Sequence, residues 1–248
     1  MTVDFRNPLP ATVLALDVKG YSERSAPTHL AIRQGLRDVV AEGFRRSNID
    51  PLATASQDTG DGVLAIIPAE VPKAIVVADL IRELGVAVSI YNRTRNAAGR
   101  LRLRAALHHG DVIIDGTGYA GDAPIITTRL VNAPPTRAAL EADGGQDLAL
   151  ILSDSLYQDT VAQGFRGLDT VDFVQVEIRT AKFQGTAWLR AQGSHRDDPT
   201  RVPTAQQSHQ PNLAAPGSAA PAGTVSNLAI SSVYGDIHAE RVNFGITN

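Results

Sequence analysis

Cysteine is absent from the 248 residues, and methionine and tryptophan each occur once. Without thiols there is no disulfide scaffold and no Cys-ligated zinc, which fits a reducing compartment. Neither sign of charge dominates: 23 Lys and Arg face 26 Asp and Glu, for a net charge of −3. That balance leaves no electrostatic footprint for nucleic acid, and Arg100, Arg102 and Arg104 form only a short basic patch. Long apolar runs are missing too. Ala74 to Ala78, among the longest, stops at Asp79, far short of a membrane span. Asp4 and Arg6 interrupt the start, so no secretory leader is visible. These absences describe a soluble cytoplasmic protein with neither a membrane nor a nucleic-acid partner. Three common chemistries are also excluded. There is no phosphate-binding P-loop and no dinucleotide fingerprint after a strand. Ser22, Ser153 and Ser155 have no His and acid in a hydrolase arrangement.

What is present is ordinary globular material, 43% apolar and 20% charged, enough for one good core plus an appendage or for two small domains. Val13 to Leu16 reads as a buried strand. After Pro27 the period changes, and Leu30, Ile32, Leu36, Val39, Val40 and Phe44 fall on one helical stripe. Asn48-Ile49-Asp50-Pro51 ends that helix. Leu52 to Ser56 and Val63 to Ile67 make a hairpin around Gly60-Asp61-Gly62. Pro72 opens a second helix, with Ile75, Val76, Leu80, Ile81 and Leu84 facing inward. From Arg100 to His109, Leu101, Leu103, Ala105 and Leu107 alternate with Arg102, Arg104 and His108, a strand with one wet face.

Gly116 to Gly121 is a glycine-rich loop. Asp122 can cap the next helix, Pro124 suits its first turn, and Arg129 and Leu130 ride on it until Pro134-Pro135. A short helix (Thr136 to Ala142), a strand (Leu148 to Leu152), a helix capped by Ser153 or Asp154, and strands at Val171 to Ile178 and Thr186 to Leu189 follow. The alternation is too loose for a Rossmann order and predicts an α/β (α+β) sandwich on a mixed sheet. His108 and His109 face opposite ways on a strand and cannot easily share one metal ion. Trp188 is expected in a core or interface. The domain occupies residues 1–193. Residues 194–223, rich in Pro, Ala, Gln and Ser, form a flexible linker, and 224–248 regain apolar residues as a short C-terminal motif.

Two aspartates carry the chemistry. Asp17 ends the run Ala11-Thr-Val-Leu-Ala-Leu-Asp17-Val-Lys-Gly-Tyr21, and Asp61 opens Gly60-Asp61-Gly62-Val-Leu-Ala-Ile-Ile67. Alone, each Asp more often merely starts or ends a turn. Together, two carboxylates on adjacent strands suit a divalent cation carrying phosphates, since Mg²⁺ takes one or two carboxylates plus substrate oxygens.

The order of the pieces resembles the class III nucleotidyl cyclase family over roughly the first three quarters of the chain. The residues that carry it are Leu16-Asp17-Val18-Lys19-Gly20-Tyr21, Thr59-Gly60-Asp61-Gly62-Val63, Leu107-His-His-Gly-Asp-Val112, Tyr119-Ala-Gly-Asp122 and Thr127-Thr-Arg-Leu130. The resemblance implies a ferredoxin-like sheet with helices on one side, paired head to tail as a homodimer whose sites are shared between subunits. It implies that Asp17, Asp61 and the carbonyl of Val18 hold two Mg²⁺ or Mn²⁺ ions. The amides of Lys19, Gly20 and Tyr21 would cradle the phosphates, and Arg129 of the other subunit would meet charge on the transferred phosphoryl group. Arg179 or Lys182 would contact the triphosphate. The implied reaction is attack of a ribose 3′-hydroxyl on the α-phosphate of a nucleoside triphosphate, expelling pyrophosphate. Asp17 or water would take the proton.

Three positions depart from the adenylyl cyclases of that family. The adenine-reading Lys and Asp are replaced by Gln57 and Gly118, and the ribose-orienting Asn by Ile125. Gln57 both donates and accepts, so it can bind a base edge without supplying a positive charge. The pattern resembles the pyrimidine cyclases of Pycsar-type antiphage defence, which points to UTP or CTP. An adenylyl or guanylyl cyclase with other base contacts, and a weakly catalytic nucleotide-binding or assembly domain, are the alternatives.

In the C-terminal motif, Val242-Asn-Phe-Gly245 is similar to amyloid signalling motifs of bacterial immune proteins and could serve self-assembly or a partner. An added edge strand or a disordered end is the simpler reading, because Asp236, Glu240 and Arg241 would stack like charges in an in-register fibril. A peptide spanning residues 224–248 is therefore expected to remain monomeric at high concentration by sedimentation. Thioflavin-binding fibrils would reverse that reading.

Overall fold

In a computed structural model of the chain, residues 7–115, 118–141, 146–180 and 183–190 are described. The boundary at 193–194, the linker 194–223, the motif 224–248 and Lys182 lie outside them. The framework starts with β1 (Leu9–Val18), α1 (Ala26–Arg46), β2 (Ala55–Asp58) and β3 (Gly62–Pro68). A π-helical segment, Ile75–Leu80, runs into α2 (Ile81–Asn92), and β4 (Leu103–Ile114) completes a βαββαβ unit. The short β5 (Tyr119–Ala120), α3 (Asp122–Val131), α4 (Pro134–Ala139), β6 (Leu148–Ser153), α5 (Asp154–Thr160), β7 (Phe173–Thr180) and β8 (Phe183–Arg190) follow.

The strands lie in the order β2-β3-β1-β4-β6-β8-β7, with β5 paired to β4. All neighbours are antiparallel except β4 and β6. This is the expected mixed sheet, and its first four strands carry the ferredoxin-like order. The alternation along β1 explains the layering. Leu14, Leu16 and Val18 pack with Ile32, Leu36, Val39 and Phe44 of α1 and with Leu80, Leu84 and Val88 around α2. Ala15 points the other way, toward Leu130 and Val131 of α3.

Helices thus cover both sides of the sheet, where one side was expected. The reason lies in β4. Leu103, Ala105 and Leu107 join the α1 core, but Ala106 between them is buried under α3 rather than wet. The basic patch also dissolves on folding: Arg100 pairs with Asp147 at 3.1 Å, and Arg104 turns inward to Asp17.

Local chemistry shifts several boundaries. Helix α1 ends at Arg46 because the Ser47 hydroxyl donates to the carbonyls of Gly43 and Phe44 and Asn48 turns left-handed at φ 56°. Pro51 comes afterwards. Leu30, expected on the inner stripe, is 70% exposed. Leu52, expected in a strand, is exposed in a turn, and β2 starts at Ala55. Asp122 is the first residue of α3, capped by Gly121 rather than capping it, and Pro134-Pro135 begin α4 instead of only ending α3. Ser153 caps α5 as expected, accepting from the Leu156 amide. Trp188 is partly buried, packed against the core, and stacks on Tyr157 at 3.6 Å between ring centroids.

Two glycines make opposite demands. A Cβ on Gly62 would stand 2.2 Å from the Leu16 carbonyl oxygen, so β1 and β3 can close only if none is there. A Cβ on Gly85 in α2 would meet nothing closer than Leu148 at 3.8 Å. Gly62→Ala is expected to cost about 1–3 kcal/mol in urea unfolding, whereas Gly85→Ala is expected to stabilise by about 0.5–1 kcal/mol.

Candidate active site

The two aspartates meet where β1 and β3 end their pairing. Asp17 stands opposite Gly62 in the register, and the Val18 amide donates to the Asp61 carbonyl at 2.9 Å. Asp61 is therefore delivered beside Asp17 by the turn Thr59-Gly60-Asp61. Asp58 shapes that turn, since its Oδ1 accepts from the Gly60 amide at 2.8 Å. Its Oδ2 is clamped by Arg33 and Arg37 of α1 at 3.1 and 2.9 Å.

The two carboxylates differ in surroundings. Asp17 is buried, whereas Asp61 is exposed and makes no side-chain hydrogen bond or ion pair among the described residues. Burial raises the Asp17 carboxyl above its ordinary value. The Arg104 guanidinium pulls it back, the Asp61 charge raises it again, and Arg137 lowers it. Arg104 lies opposite Asp17 across β1 and β4, and its Nε donates to Asp17 Oδ2 at 2.6 Å, with Nη2 reaching the same oxygen.

Whether this pair suits a divalent cation can be judged from its donors. No group of three or more His, Cys, Asp or Glu residues that could hold a metal ion exists among the described residues. Two carboxylates with adjacent backbone oxygen form a hard, incomplete set, which suits Mg²⁺ or Mn²⁺ arriving with phosphate oxygens and does not suit a permanently caged ion. The fit is good in donor type, with one Asp17 oxygen already engaged by Arg104.

The loop after β1 narrows the expected phosphate cradle. Gly20 turns left-handed at φ 66°, a backbone form that suits an anion-binding turn. Lys19, however, has its amide committed to the Arg102 carbonyl at 2.9 Å, and its Nζ gives one of its three protons to the Leu140 carbonyl at 2.9 Å. The Lys19 amide, expected in the cradle, is thus engaged by the residue before β4 of its own chain. The Tyr21 ring is held by stacking on His29, 4.3 Å between centroids.

Gln57 and Gly118, far apart in sequence, are brought together: Gln57 Oε1 lies 3.8 Å from where a Cβ on Gly118 would stand. Ile125 and Arg129, four residues apart on α3, are both exposed, while Ala123, Thr127 and Leu130 of the same helix are buried. Arg179 is exposed on β7, at the sheet edge. Four strand spacings, roughly 19 Å, separate β7 from β1. Neither Arg129 nor Arg179 forms an ion pair with Asp17 or Asp61.

The sequence reading missed Arg104 and Arg137 as neighbours of Asp17. His108 and His109 do not share a ligand position: His108 Nδ1 lies 2.8 Å from the Ser153 hydroxyl and His109 Nδ1 3.0 Å from that of Thr12.

No protein-family model matches the chain, and no curated protein does. Solved structures do. The guanylyl cyclase Cya2 superposes with a TM-score of 0.52 at 18% identity, over 77% of this chain and 96% of that one. An adenylate/guanylate cyclase/hydrolase from Silicibacter pomeroyi gives 0.51 at 20% identity, over 74% and 97%. A bacterial light-regulated adenylyl cyclase gives 0.50 at 10% identity, over 77% and 55%. The chain has the class III nucleotidyl cyclase fold. No helix among the described residues is long and apolar enough to cross a membrane.

Asp58 offers a check on how the turn is held. Burial works to raise its pKa, but the Gly60 amide, Arg37 and Arg33 outweigh that and bring it from 3.8 to about 2. A lowered folded-state value gives stability that is present above the ordinary carboxylate range and lost as pH falls through that window. In urea unfolding, wild type is expected to exceed Asp58→Asn in stability near neutral pH, with the gap closing between about pH 4 and pH 2.

Proposed function

We propose that the chain is a nucleotidyl cyclase, converting a nucleoside triphosphate to a 3′,5′-cyclic monophosphate and pyrophosphate. The observation that carries this reading is the meeting of Asp17 and Asp61 at the adjoining ends of β1 and β3. Two Mg²⁺ or Mn²⁺ ions held by Asp17, Asp61 and the Val18 carbonyl would supply Lewis-acid activation of the 3′-hydroxyl and charge neutralisation on the phosphates. The amides of Gly20 and Tyr21 would bind phosphate oxygens. Phosphoryl transfer needs little beyond positioning and electrostatics, so few side chains are required.

Completion by a second copy in a homodimer is part of the proposal. Arg129 forms no ion pair with the aspartates of its own chain, and its guanidinium would serve the partner's nucleotide, while Arg179 or Lys182 would contact the triphosphate. A guanidinium suits that task because it stays charged and binds phosphate oxygens in a fork. Gln57 would read the base edge, in the space that Gly118 leaves beside it.

UTP or CTP is the favoured substrate, and second-messenger synthesis in antiphage defence the favoured setting. Both rest on the resemblance to Pycsar-type cyclases and on an uncharged Gln57 next to a bare Gly118. Purified full-length protein with Mn²⁺ is expected to form cUMP or cCMP. Formation of cAMP or cGMP instead would give the purine reading, and nucleotide binding without product would leave a weakly catalytic domain with Ile125 in the place of a ribose contact.

Asp17→Ala and Arg129→Ala are each expected to lose at least about a hundredfold in rate. Mixed together, they should recover about a quarter of wild-type activity, because half the dimers are mixed and each keeps one intact site. No recovery, with subunit exchange shown independently, would remove the shared-site proposal.

A further inference from the structure

The Asp17 carboxylate already has a cation, and the chain itself provides it. Asp17 and Arg104 are direct cross-strand partners of β1 and β4. Their side chains are only 12% and 14% exposed, unlike the solvent-facing pairs of the surface. Both guanidinium donors converge on Oδ2, so Oδ1 is the oxygen left for another ligand. With Arg104 in place, the charges of Asp17 and Asp61 are half neutralised before any ion arrives.

Resting on the cyclase reading above, we propose that Arg104 is an internal counter-ion that competes with the divalent cation for Asp17. A divalent ion facing one net negative charge is held less tightly than one facing two. The pair therefore discriminates against free cation. A nucleotide triphosphate restores the missing negative charge and accepts the displaced guanidinium, so cation and nucleotide load together. Arg104 is then a positioning residue that acts through Asp17, and its effect is read in metal binding rather than in turnover.

The test is direct Mn²⁺ binding to nucleotide-free, full-length protein by electron paramagnetic resonance. Arg104→Met is expected to bind Mn²⁺ at least about tenfold more tightly than wild type. Arg104→Lys, which keeps the charge, should stay near the wild-type affinity. Asp61→Asn should weaken binding in both wild-type and Arg104→Met backgrounds. Binding that depends on Asp61 but is unchanged in Arg104→Met overturns the competition and leaves the cyclase reading standing. Binding indifferent to Asp61 in every background overturns both.

Because Arg104→Met leaves a buried carboxylate unpaired and can unfold the chain, a wild-type measurement stands beside it. In side-chain ¹⁵N spectra, saturating Mg²⁺ with a non-hydrolysable nucleotide should shift the Arg104 Nε–H signal. The Arg46 Nε–H, bound to Glu83 at 2.7 Å, should stay put. An unmoved Arg104 signal at saturation would overturn the proposal.

Discussion

A buried carboxylate at the end of the central strand is the constraint from which the rest of the site follows. Taking Asp17 out of water is unfavourable unless a positive charge stands beside it. β4 answers with Arg104, directly opposite in the register. β3 answers with a residue that has no side chain, because anything larger than Gly62 would collide with the Leu16 carbonyl. The same closeness brings the Asp61 turn alongside, and Asp58 holds that turn to α1. Sheet register, a glycine and three arginines thus serve one acidic oxygen pair.

The face on which this happens is set by parity along each strand. Ala15 and Asp17 of β1, Ala106 and Arg104 of β4, and Leu64 of β3 share the α3 side of the sheet. Helix α3 covers that side over β4 and β1, presenting Ala123, Thr127 and Leu130 inward and Ile125 and Arg129 outward. Under the shared-site proposal, this outward pair and the Gln57–Gly118 neighbours form the half-site offered to a second copy. The acidic half and the base-reading half then belong to one chain yet act on different nucleotides.

Much of the architecture could be read from periodicity, because β1, α1 and β4 each carry a clear apolar pattern. Both aspartates were legible from their places beside apolar runs with glycine close by. What could not be read is which strands become neighbours. Arg104 looked like a wet-face residue because its own strand alternates Leu with Arg, and only the β1–β4 pairing reveals that it faces Asp17. Ala106 misled in the same way: a small residue on a polar-looking face carries no signal that a helix will cover it. The Lys19 amide seemed a phosphate donor from its place in the glycine turn, but only the β1–β4 register shows it paired with the Arg102 carbonyl. Helix ends were misplaced where a local hydrogen bond, such as those of Ser47, outranked the nearby proline.

The bond from Lys19 Nζ to the Leu140 carbonyl ties the turn following β1 to the trailing end of α4. An ammonium there also complements the negative pole of that short helix. Under the proposed function the turn after β1 faces the nucleotide, so a ligand or partner that levered α4 outward would pull on Gly20 and Tyr21 through this bond.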